Sequence, residues 1–292
     1  MSTLRTWLRP HPHDCRRSVD VVRVAVAAIL VTHPLYTVTH VAALRALAAE
    51  LQTRALPATA ATALAWVATV TLLLAAPALL IRRLVAPAAS AAIVVLVGGA
   101  VLLYAPRWFV AGGAATSGHP GVELNVLLVT CLSGVLWTYW PRRAAAADDE
   151  ARAAAVGLDI IRLGSALLIL PHPLHPFVTW DVVGMRHFGE GMSESGFPFG
   201  VQLVWFMVSW QILCSLLIAT RRLVVPACFG HLIVLGTGIV IIHYPDWFIV
   251  GPGTGGMEFP LVYVACYVAC ILAYWPPRAE RARTQTVTRA VA

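Results

Sequence analysis

Eight apolar runs, each near the length that crosses a bilayer as a helix, constrain this chain more than any other feature. They lie at roughly 20 to 41, 58 to 81, 84 to 104, 122 to 140, 158 to 179, 198 to 220, 223 to 243 and 258 to 275. A run of about 20 apolar residues spans the hydrocarbon core at 1.5 Å per residue. In that solvent every backbone N–H and C=O must be paired within the segment, so these runs can only be helices. The predicted fold class is therefore an all-α membrane protein with eight transmembrane helices. Composition agrees, with 59% hydrophobic and 12% charged residues, a balance outside the range of soluble domains.

The runs come in two matched sets. At a constant offset of 139, Arg23 aligns with Arg162, His33-Pro34-Leu35 with His172-Pro173-Leu174, Trp66 with Trp205, Arg82-Arg83 with Arg221-Arg222 and Trp108-Phe109 with Trp247-Phe248. Beyond Gly112 and Gly251 the offset becomes 135, and it holds for Gly121/Gly256, Glu123/Glu258, Cys131/Cys266 and Tyr139-Trp140-Pro141/Tyr274-Trp275-Pro276. An even number of spans per set makes the duplication parallel rather than inverted. The expected organisation is an arm at 1–17, a first four-helix repeat at 18–143, a linker at 144–156, a second four-helix repeat at 157–278 and a tail at 279–292.

Arginine supplies the orientation. All 21 basic residues are arginine, and all but Arg45, Arg54, Arg107 and Arg186 fall on one side of the spans or at the first turns of spans one and five. By the positive-inside rule that side is cytoplasmic, so both termini are expected inside and the loops following spans three and seven outside. The net charge of +7 is thereby a topology signal, with no nucleic-acid partner implied. The N-terminal segment has no apolar stretch ending in a small-residue cleavage site, and it reads as a cytoplasmic arm. Between spans one and two, Leu44, Leu47, Ala48 and Leu51 share one helical face, as in an interfacial amphipathic helix. The glycine-rich counterpart at 180–200 reads as a more mobile cap.

Ionisable residues gather at the outward ends. His33, Tyr36 and His40 share one helix face, as do His172 and His175. His243 and Tyr104 end spans seven and three, and Glu258 and Glu123 open spans eight and four. Such groups are costly in hydrocarbon and usually face a polar interior. A glutamate in a first helical turn also complements the macrodipole, and Trp247-Phe248 fits an aromatic belt, so each residue taken singly has a structural explanation. As a set, the second-half residues read as a pocket, with His243 and Glu258 as proton exchangers, His172 and His175 as polar contacts and Trp247 as a wall. His33 and Glu123 are the ligand-binding counterparts in a first half that reads as a structural copy. A quinone suits such a pocket, because it needs proton donors or acceptors at its carbonyl oxygens. A metal ion on His172, His175, His243 and Glu258 is the alternative, without a recognised ligand spacing to support it. The in-span cysteines read as small buried hydrophobes, and Asp20/Arg23 and Asp159/Arg162 as ion pairs at helix starts.

The Arg162 opening of span five, His172-Pro-Leu-His175, "GFPFG" at Gly196–Gly200, "WFIVGPGTGGMEFP" and the less complete first-half copies resemble the DoxX/DoxD-like membrane proteins. The resemblance covers about 17–143 and 157–278. It implies a bacterial inner-membrane protein of four-helix units, in some members a subunit of a thiosulfate:quinone oxidoreductase and in others an accessory of redox systems. The expected partners are then the lipid bilayer and a periplasmic or extracellular redox subunit. A non-enzymatic anchor or assembly factor for that partner is the competing expectation. Two departures are the duplication itself and the lack of a cysteine in an obvious outward loop.

Overall fold

The structure is a computed structural model, and it describes residues 12–104, 122–141, 147–248 and 256–275. Arg107, His119, Trp108-Phe109, Gly253 and the tail at 279–292 lie outside the described residues. Among those described there are helices and turns and no strand. The helices are α1 (Pro12–Thr39), α2 (Val41–Gln52), α3 (Ala58–Ala78), α4 (Val85–Gly99), α5 (Glu123–Tyr139), α6 (Ala147–Leu168), α7 (Pro171–Thr179), α8 (Val182–Glu194), α9 (Gly200–Ala219), α10 (Val224–Gly238) and α11 (Glu258–Tyr274). A π-helical turn extends α4 over Ala100–Tyr104 and another extends α10 over Ile239–His243.

Six stretches are long and apolar enough to cross a membrane: within α1, α3, α4 with its flanking turns, α6 with α7, α9, and α10 with its extension. The remaining two expected spans, α5 and α11, are apolar helices of 17 residues each. Both begin at a glutamate.

The expected linker at 144–156 is largely part of α6, which is helical from Ala147 and carries Asp148, Asp149 and Glu150 in its first turn, where acidic side chains offset the positive end of the dipole. Proline explains another difference between the halves. α1 runs through Pro34 to Thr39, whereas the second half has Pro171, Pro173 and Pro176 where the first has Thr32, Pro34 and Thr37. Each proline removes a backbone donor and clashes with the preceding turn, and the helix breaks between Leu168 and Pro171 into α6 and α7.

The short helix expected after span one is α2, which buries Leu44, Ala48 and Leu51 against Ala61 and Ala65 of α3. Its counterpart also contains a helix, α8. Asp181 accepts a hydrogen bond from the Gly184 amide at 2.9 Å, and α8 packs Met185 and Met192 beside Val204 of α9.

The most extensive helix pair joins the halves. α5 lies along α6, and α11 lies along α1, so the fourth long helix of each half covers the first of the other. Small residues permit the approach. A Cβ on Gly157 would stand 2.4 Å from the Gly134 carbonyl oxygen and 2.1 Å from Thr138 Oγ1, and one on Gly164 would stand 2.2 Å from Thr130 Cγ2. On α11 the positions matching Thr130, Gly134 and Thr138 are Ala265, Ala269 and Ala273, all buried. Cys131 meets its repeat equivalent Cys266 at 3.4 Å between sulfurs. The two halves therefore share one core in place of two separate bundles.

Candidate functional site

One end of this core holds the arginines. Arg23 Nη1 donates to the Leu79 carbonyl at 2.6 Å, and its Nε pairs with Asp20 at 2.8 Å. In the second half Arg162 donates to the carbonyls of Ile218 and, at 3.0 Å, Ala219, while its Nε pairs with Asp159 at 3.0 Å. The expected ion pairs are present, and each guanidinium also closes the negative end of its own half's second long helix. Tyr139 donates to Asp20, and Arg221 donates to Asp159.

The opposite end holds the carboxylates. Glu123 and Glu258 are the first residues of α5 and α11, and both are fully buried at 0% exposure. Backbone bonds hold the entry to α11: Gly256 N–H to Phe248 C=O at 3.1 Å, Met257 to Asp246 at 2.9 Å and Glu258 to Trp247 at 3.2 Å. A Cβ on Gly256 would stand 2.2 Å from the Trp247 carbonyl, so only glycine allows this approach.

Each carboxylate reaches the other half. His33 Nε2 lies 2.7 Å from Glu258 Oε2, and His172 Nε2 lies 2.8 Å from Glu123 Oε2. The histidine side chains are 37% and 35% exposed against 0% for both glutamates, so each pair offers a reachable imidazole backed by a sequestered carboxylate. Phe248 packs edge-on to His33 at 5.1 Å and beside Tyr36 at 5.2 Å, and Tyr36 stacks on His40 at 4.2 Å. His172 packs against Phe259 at 5.8 Å. The second Glu123 oxygen, Oε1, is buried without a hydrogen-bond partner. Such a pair can hold a proton between carboxylate and imidazole and pass it to a bound group.

Each of these bonds joins a residue of the expected second-half set to a first-half residue, Glu258 to His33 and His172 to Glu123. His175 is exposed on α7, and His243 is half-buried at the end of the π turn after α10. Trp247 is half-buried, with its indole nitrogen buried and without a hydrogen-bond partner. Among the described residues no group of three His, Cys, Asp or Glu side chains could hold a metal ion. Sequence offsets placed the glutamates and histidines at one level; the exchange of partners had no sequence signal, since a repeat shows equivalence and not contact.

The fold and this end define an all-helical protein with, among the described residues, six stretches long and apolar enough to cross a membrane and two Glu–His pairs, each of a buried glutamate and a partly exposed histidine, joining its halves. No protein-family model, curated protein or solved structure matches the chain.

Proposed function

We propose that the chain is an eight-span bacterial inner-membrane protein of two parallel DoxX-like repeats, with both termini cytoplasmic. It serves as the membrane subunit of a redox system that binds a quinone or similar small ligand at its outward Glu–His end. The observation that carries this reading is the pairing of fully buried Glu123 and Glu258 with partly exposed His172 and His33. Reduction of a quinone takes up two protons with two electrons, and oxidation of the quinol releases them. A histidine within hydrogen-bond reach of a ligand, with a carboxylate behind it, supplies that exchange. Half-buried Phe248 beside His33 offers an apolar surface for a ring.

Orientation is checked by labelling. Cysteines introduced at Arg82, Arg152 and Arg221 should react from the cytoplasmic side and one at Gly253 from outside, as the arginine distribution requires. Labelling at position 253 from inside only would invert the site.

Ligand binding is checked on the purified protein with a ubiquinone or menaquinone analogue, read by tryptophan quenching. Glu258→Gln is expected to weaken binding by about 1 to 3 kcal/mol, the usual cost of leaving a buried polar group unpaired. No binding to folded wild-type protein overturns the quinone reading. A second reading, an anchor for an outward redox partner, draws on Trp180, Val183 and Phe199, which are 81%, 81% and 77% exposed around α8. It predicts no ligand binding and a Glu258→Gln variant that retains the wild-type phenotype.

A further inference from the structure

We propose that the second half, and not the first, contains a proton-conducting lane that follows α11 from the Glu123–His172 pair to the arginine end. One face of α11 carries Phe259, Tyr263, Tyr267, Cys270 and Tyr274, which at 100° per residue fall within about 80° of arc and extend about 22 Å along the helix. The three tyrosines are fully buried. At the carboxylate end, Phe259 lies 5.8 Å from His172 between ring centroids and stands edge-on to Tyr263 at 5.1 Å. Tyr263 stacks on Tyr267 at 6.1 Å, and Tyr267 stacks on His231 of α10 at 4.7 Å. His231 Nε2 is 3.0 Å from Ser215 Oγ, and Tyr267 Oη points to the Ser165 carbonyl at 3.5 Å. Tyr274, the last residue of α11, closes the lane at the arginine end.

Four polar atoms along this route are buried without a hydrogen-bond partner: Glu123 Oε1, Tyr263 Oη, His231 Nδ1 and Tyr274 Oη. Buried polar groups are ordinarily satisfied, and a concentration of exceptions marks a place held ready for water or for moving protons. The first half serves as an internal control. At the matching offsets, Tyr263, Tyr267 and Cys270 become Leu128, Leu132 and Val135, while His231, Ser215 and Ser165 become Ala92, Ala76 and Val26, all buried. Packing alone is therefore met by aliphatic side chains at these six positions, whose hydroxyl, thiol and imidazole groups occur in one copy only; Tyr274, the last residue of the lane, is matched by Tyr139. Each step moves a proton between neighbouring oxygen and nitrogen atoms with water between them, and no electron acceptor is involved. The lane rests on the membrane-spanning part of the proposed function and is independent of quinone binding.

The experiment uses the full chain in liposomes holding a pH-sensitive dye, without quinone, under a potassium diffusion potential set by valinomycin. Wild-type protein should carry protons measurably faster than protein-free vesicles. Tyr263→Phe and Tyr267→Phe keep the ring stack and remove one proton-carrying hydroxyl each from the route, and each should slow the flux roughly tenfold or more. Tyr139→Phe, a Tyr-to-Phe change on the first half's fourth long helix at the counterpart of Tyr274, should leave it unchanged. Flux no greater than in protein-free vesicles, or equal flux in all three variants, overturns the lane. Quinone binding without flux would leave the proposed function standing and the lane rejected; flux without quinone binding would do the reverse.

Discussion

Replacing His172 with alanine should lower the stability of the folded protein by about 3 to 5 kcal/mol, the usual cost of stripping the partner from a buried charge. Glu123 has no exposed surface, and its Oε1 is already without a hydrogen-bond partner. Losing the 2.8 Å bond from His172 leaves neither oxygen bonded at the start of α5, with only the helix dipole to favour the charge. Adding Glu123→Gln to the alanine variant should restore much of the loss, because a neutral amide is far cheaper to bury than an unpaired carboxylate. Thermal unfolding of the two single variants and the double variant in one detergent measures the coupling directly. Additive effects would show that the two residues do not stabilise each other, and the pair would lose its standing as a unit.

Gly157→Leu should cost roughly 3 kcal/mol or prevent folding, at or above the upper end of the range for overpacked cores. The added Cβ alone would sit 2.4 Å from the Gly134 carbonyl oxygen, and backbone cannot swing aside as a flexible side chain does. α5 and α6 would have to separate, which disturbs the contact between the fourth long helix of one half and the first of the other. Gly98 and Gly236 provide the contrast, since a Cβ on either meets no atom within 4 Å. Alanine there should be neutral or stabilising by up to about 1 kcal/mol, through the lower entropy of the unfolded chain and better helix propensity. Equal losses at Gly157 and Gly98 would mean that helix propensity, and not close approach, governs the interface.

The sequence by itself determined the helical class, the matched halves, and the separation of arginines from the glutamates and histidines. Those features follow from local physics: apolar length fixes helices in lipid, and a register of 139 and then 135 residues fixes equivalence. It also located the short helix α2, whose leucines repeat at a helical spacing. Only the tertiary structure decided that Glu258 bonds to His33 and Glu123 to His172, that α6 begins within the expected linker, and that Tyr263, Tyr267 and His231 stack into one buried series. Partner choice of this kind depends on which helices pack side by side. That is set by close approach at Gly134, Gly157 and Gly164 together with contacts between residues distant in the chain, 49 positions apart for Glu123 and His172 and 225 for Glu258 and His33. Periodicity along one helix carries no record of the helix that will face it.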